Sequence, residues 1–164
     1  MVFNFNEVIM KYFILLFFGL MLLSSCGGDD DVCISGEATP RMKVKFKSSD
    51  GRTATLDSLY VDVDYGSGAV SVLQAKSVDS VLIPLRVDDN LFTEISLRTT
   101  NKGNVSKVKI NYTLKSEYVS PACGFKRLYE NVSGTLETAN PVLKIEQNQE
   151  QIIDENKTHF YFTF

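Results

Sequence analysis

Residues Lys107–Val119 read KVKINYTLKSEYV. Val108, Ile110, Tyr112 and Leu114 share one parity, and Lys107, Lys109, Asn111, Thr113 and Lys115 share the other. Successive side chains of a β-strand point to opposite faces, so this period of two describes a strand with one dry and one wet face. The same alternation recurs upstream. In RMKVKFKS (41–48), Met42, Val44 and Phe46 oppose Lys43, Lys45 and Lys47. SSDGRT supplies a turn, after which Leu59, Val61, Val63 and Tyr65 oppose Tyr60, Asp62 and Asp64. GSG (66–68) interrupts the pattern, and AVSVLQA (69–75) and SVLIPLRV (80–87) resume it. Val81, Ile83, Leu85 and Val87 share a face in the second of these; Pro84 lies on the other parity without an N–H, which predicts an edge or bulged strand. LFTEISLRTT (91–100) and the punctuation NKGN (101–104) lead back to the opening stretch.

Downstream of SPACG (120–124) the period changes. Phe125, Leu128, Tyr129 and Val132 have helical spacing, which predicts a brief helix or an irregular crossover. PVLKIEQ (141–147) and THFYFTF (158–164) close the chain as strands. Strands of six to nine residues between turn signals predict an all-β fold: an antiparallel β-sandwich, immunoglobulin-like in general architecture. The rival is an eight-stranded outer-membrane barrel ending in aromatic THFYFTF; short strands and missing long loops disfavour it.

With 164 residues, 44% hydrophobic and 23% charged, the chain has room for one domain. Its net charge of −3 lacks the excess of Lys and Arg that nucleic acid requires, so no nucleic-acid partner is expected. Eleven Phe, seven Tyr and no Trp fit a strand-rich core.

The N-terminus reads differently. From Met10, one Lys precedes an apolar run from Tyr12 to Leu23, followed by Ser24, Ser25 and Cys26. That is the layout of a secretory signal, and the run is short of the roughly 20 residues that span a bilayer. Leu23-Ser24-Ser25-Cys26 resembles a bacterial lipobox. The resemblance implies removal of a signal peptide, residues 1–25, and acylation of Cys26, with palmitate among the acyl chains. Residues 1–9 add nothing to the signal, which makes Met10 a candidate start. GGDDDV (27–32) completes a flexible acidic tether over 26–32, ahead of a single domain at 33–164.

Lipidation of Cys26 leaves Cys33 and Cys123, and export places both where disulfides persist. A Cys33–Cys123 bond is the expectation, closing a loop of about ninety residues with a stabilisation of roughly 4–5 kcal/mol. Two cysteines and one histidine make a poor ligand set, so no metal and no cofactor is expected.

Chemistry is thin. His159 is the single histidine, and any Ser–His–Asp or Cys–His arrangement would have to use it; it reads as a packed or surface strand residue, and no GxSxG motif is present. Asp62 and Asp64 lie about 7 Å apart on a wet face. They read as solvated, and with Gly66 and Gly68 they miss the spacing of a calcium loop. The expectation is no enzyme. Asn104, Asn111, Asn131 and Asn156 each open an N-x-S/T triplet by chance. Asp57-Ser58-Leu59 and Asp79-Ser80-Val81 resemble a bacterial three-residue O-glycosylation pattern, which makes Ser58 and Ser80 candidate acceptors.

Several features together resemble an uncharacterised lipoprotein family of the Bacteroidetes type, a domain of unknown function. They are the lipobox, Cys33 followed by Thr39-Pro40-Arg41, LIPL (82–85), INYT (110–113), CGFK (123–126) and HFYF (159–162). The resemblance spans residues 33–164 and supports the Cys33–Cys123 pair. It implies an outer-membrane, lipid-anchored location, and Asp29–Asp31 resemble the acidic signal for surface exposure. The expected role is a non-enzymatic surface module that binds a protein or glycan, held to the membrane through Cys26. The alternative is a periplasm-facing accessory subunit of an outer-membrane assembly.

Overall fold

A computed structural model describes residues 38–121 and 123–164. The expected signal (1–25), lipidated Cys26, the tether (26–32) and Cys33 lie outside the described residues. Among the described residues every regular element is a strand: β1 Met42–Lys47, β2 Leu56–Asp64, β3 Ala69–Val78, β4 Ser80–Ile83, β5 Phe92–Arg98, β6 Ser106–Ser120, β7 Gly124–Thr138, β8 Lys144–Gln147 and β9 Phe160–Thr163.

The strands form two layers. A four-stranded sheet has the order β4-β1-β9-β8, and a five-stranded sheet has the order β3-β2-β5-β6-β7. All pairings are antiparallel except β1 with β9, which run parallel at the centre of the smaller sheet. The fold is therefore the expected antiparallel-rich β-sandwich, with a strand order of its own. Alternating side chains fill the space between the layers, as the period-two pattern predicts. Met42, Val44 and Phe46 of β1 and Phe160 and Phe162 of β9 face Leu59, Val61, Ile95, Leu97, Val108 and Ile110, all essentially without solvent contact. Each such side chain stabilises the fold by about 1.5–3 kcal/mol through apolar burial.

Two expectations are corrected. SVLIPLRV does not run as one strand: β4 ends at Ile83, on the edge of its sheet. Pro84 has no N–H to continue the ladder, and Val87 is exposed rather than inward. The edge position predicted from Pro84 does hold. The second correction is residues 125–132, which form strand β7 and not a helix or irregular crossover. Their helical spacing has two causes. A bulge shifts the β6–β7 register between Asn111 and Thr113, with Asn131 in the left-handed region at φ 52°. One extra residue moves the core parity, so Tyr129 and Val132 are both buried although three apart. Leu128 is buried as well, on the opposite parity from Tyr129. Burial on both faces imitated a helix.

β6 and β7 also exceed the expected six to nine residues, at 15 each. β5 covers β6 only from Ser106 to Asn111, so the rest of the hairpin is a two-stranded ribbon. The outer edge of β7 is closed in part by chain from elsewhere. Tyr129 and Ile152 exchange backbone hydrogen bonds at 3.2 and 2.8 Å, and Val132 N–H donates to the Glu150 carbonyl at 2.9 Å. Nearer the tip, Arg127 N–H donates to Thr39 Oγ1 at 2.9 Å. Arg41 makes a bidentate pair with Glu155 at 2.8 and 2.9 Å. Thr39 and Arg41 thus fix the chain's entry into the fold.

Candidate binding surface

The inner face of the five-stranded sheet continues along the ribbon past its covered part. Register pairs Leu114 with Tyr129, Ser116 with Arg127, and Tyr118 with Phe125, all on the parity that faces the core lower down. At the tip nothing among the described residues buries this face. Tyr118 is 57% exposed and Phe125 69%, and their rings meet edge-to-face at 5.4 Å. Arg127 lies between them and the core, donating to Ser116 Oγ and standing 3.9 Å from Asp89. The wall beside this ledge is the crossover 84–91, which exposes Val87 and Leu91.

A buried polar ring holds that wall. Arg86 N–H donates to Thr93 Oγ1 at 3.0 Å, the Thr93 and Tyr112 hydroxyls bond at 2.7 Å, and the Tyr112 hydroxyl donates to the Arg86 carbonyl at 3.3 Å. Three bonds in one cycle polarise one another and leave none of these groups orphaned. Tyr129 adds a bond to the Leu85 carbonyl at 3.5 Å and stacks edge-on against Tyr112 at 4.8 Å. Burial pushes both phenols above their ordinary pKa, so they stay neutral donors. The Arg86 guanidinium forks onto Asp88 and, through that hydrogen bond first, holds the Asp88 carboxyl at about 2. Gly66, at φ 97°, lies against Arg86; a Cβ there would come within 2.8 Å of Nη2.

The residues singled out from sequence are scattered. His159 is 1% exposed, and its Nδ1 accepts from Lys43 N–H at 2.8 Å. That bond assigns the ring proton to Nε2. Asp62 pairs with Arg98, and Asp64 accepts from Gly66 N–H at 2.7 Å and Gly68 N–H at 3.3 Å. The two carboxylates serve different partners and do not converge. No group of three His, Cys, Asp or Glu that could hold a metal occurs among the described residues. Ser58 is half-buried on β2, its hydroxyl donating to the Thr99 carbonyl, and Ser80 sits on edge strand β4 with its hydroxyl on Asp79. Cys123 lies in the tip turn, its N–H donating to Ser120 Oγ at 3.1 Å. The sequence reading missed the ledge. Its signal was present: past Leu114, polar residues fill both parities until Tyr118, so the strand outruns its core.

Burial first, and the Lys43 charge, hold the His159 pKa below its ordinary 6.5, against the pull of Asp154 and Glu155. A depressed folded pKa means the neutral ring stabilises the fold fully above pH 6.5, and this contribution is lost as pH falls through the folded value. His159→Leu leaves Lys43 N–H unpaired, so it should cost about 1–3 kcal/mol at pH 8. The urea midpoint of the variant should then be flatter between pH 7 and pH 5 than that of the wild type. Parallel pH profiles for the two chains would contradict this assignment.

A family model matches residues 58–164, from β2 through the last strand. The chain belongs to that family, DUF6452, a family of unknown function. The DUF6452 span contains the ledge, the polar ring, LIPL, INYT, CGFK and His159; the lipobox, Thr39-Pro40-Arg41 and β1 precede it. No curated protein and no solved structure matches the chain.

Proposed function

We propose that this chain is a lipid-anchored cell-envelope module of the outer membrane that binds a protein or glycan through the hairpin ledge, without catalysis. The observation that carries the reading is the exposed Tyr118–Phe125 pair on a ribbon whose base is locked by the Tyr112–Thr93–Arg86 ring. Exposed aromatics on a rigid support are the anchors of binding surfaces, because they offer large contact area at low entropic cost. The tether of Gly27–Val32 carries the domain away from acylated Cys26, and Asp29–Asp31 direct it to the cell surface.

A Cys33–Cys123 disulfide belongs to the same reading. The Thr39–Arg127 hydrogen bond supports it: Cys33 precedes Thr39 by six residues and Cys123 precedes Arg127 by four. At about 3.3 Å per extended residue the upstream chain has ample reach to the tip turn. The bond would staple the tether to the hairpin that carries the ledge.

Mass analysis of the chain purified from cell envelopes, digested without reductant, tests the reading. We expect an N-terminal peptide beginning at acylated Cys26 and one peptide pair joined through Cys33 and Cys123. An unmodified Cys26 within a longer N-terminal peptide, or two free thiols at Cys33 and Cys123, would overturn the corresponding part.

A further inference from the structure

The outer face of the four-stranded sheet carries charge of the opposite sign to the whole chain. On β1, Lys43, Lys45 and Lys47 alternate with buried Met42, Val44 and Phe46, so all three point away from the core at about 7 Å intervals. Register places Lys45 beside Tyr161 of β9, and Tyr161 beside Glu146 of β8; Lys47 adjoins Thr163, which adjoins Lys144. Ser80 and Leu82 of β4 complete the face. Four lysines and one carboxylate give it a net charge of +3, whereas the chain carries −3.

Glu146 organises this array without cancelling it. It lies 2.7 Å from Lys144 and 2.5 Å from Lys47, and those ammoniums hold its carboxyl at about 2. Lys47 also sits over the Tyr161 ring at 4.2 Å. Lys43 Nζ donates to the Asn156 carbonyl at 3.4 Å. Lys45 has no carboxylate within ion-pair distance among the described residues. The outer face of the five-stranded sheet is close to balance instead: Lys76, Arg98, Lys107, Lys109, Lys115 and Lys126 stand against Asp62, Asp64, Glu94, Glu117 and Glu130.

We propose that this lysine face docks on the anionic phosphate headgroups of a lipid bilayer. A flat array of ammoniums is complementary in charge and shape to a plane of phosphates, which lysine engages as a point charge. Tyr161, apolar in body and polar at its tip, is the residue type that settles at headgroup level. The charge argument stands independently of the lipid-anchored reading. Docking here places the four-stranded sheet between the bilayer and the five-stranded sheet.

The test uses the mature chain from Cys26 with Cys26→Ser, so that no acyl group contributes, in co-sedimentation with vesicles. Vesicles of phosphatidylcholine containing phosphatidylglycerol are compared with vesicles of phosphatidylcholine alone. Near an anionic surface each lysine strengthens binding by about fivefold, so three net charges predict an enhancement on the order of a hundredfold, weakening with salt. Lys45→Glu with Lys144→Glu should abolish it, and Lys45→Gln with Lys144→Gln should reduce it. Lys76→Glu with Lys107→Glu changes the net charge equally on the other sheet and should retain it. Equal partition into both vesicle types, or equal loss in the control pair, overturns the proposal. Because this chain has no lipid, the outcome is independent of whether Cys26 is acylated in cells.

Discussion

Tyr129→Ala is expected to lower the unfolding free energy by about 3–5 kcal/mol, the range for removing a large aromatic from a core. Tyr129 has no solvent exposure and stacks edge-on against Tyr112 at 4.8 Å. It stands where the hairpin leaves the sandwich, so its removal empties the joint between ribbon and core. Its hydroxyl makes one long bond, 3.5 Å to the Leu85 carbonyl, so Tyr129→Phe should cost about 1 kcal/mol or less. Tyr112→Phe breaks the polar ring at two points and should fall between them, at about 1–3 kcal/mol. Urea denaturation of the three variants checks the order. A cost below 1 kcal/mol for Tyr129→Ala would mean that the ribbon's base is not part of the core.

The second large effect concerns recognition rather than stability. Tyr118→Ala with Phe125→Ala is expected to cost more than 2 kcal/mol of binding, roughly thirtyfold or more in affinity, as loss of clustered aromatic anchors does. The stability cost should stay near the 0.5–1.5 kcal/mol of an aromatic pair, because neither ring packs in the core. This split separates a contact surface from a structural one. An equal fall in thermal stability and binding would make the pair part of the fold. Retention of binding in the double variant would move the contact away from the hairpin.

Most of the sandwich was legible because one-sided burial writes a period of two. Met42-Val44-Phe46, Leu59-Val61-Val63 and Val108-Ile110-Tyr112 each follow it, and each strand stands where the pattern places it. Legibility failed where two causes overlap on one stretch. At Phe125–Val132 a bulge and burial on both faces produced helical spacing, and only pairing with β6 separates strand from helix there. Pro84 announced an edge, but that Leu85 turns inward while Val87 stays out depends on the Tyr112 and Tyr129 hydroxyls, which come from distant strands.

The ledge was hidden for a related reason. Tyr118 and Phe125 look like core residues in sequence, since their parity is that of the core face. Exposure follows from how far the opposite layer extends, and no local pattern records that. His159 was read as a packed or surface residue and Asp62 as a solvated one; the first is buried on Lys43, and the second is held by Arg98. Cys26 and Cys33 carry the anchor reading through residues that precede the described fold.

The central claim is that the hairpin ledge contacts a partner in the envelope. The direct measurement places a photoreactive phenylalanine analogue at position 125 of the full chain and irradiates intact cells. A second chain carries it at Leu143, also exposed, at 57% against 69% for Phe125, and near the start of β6 rather than its tip. We predict a discrete adduct from position 125 that is suppressed by Tyr118→Ala and absent from position 143. The same adduct from both positions, or none from position 125 in cells that yield one from position 143, would contradict the account.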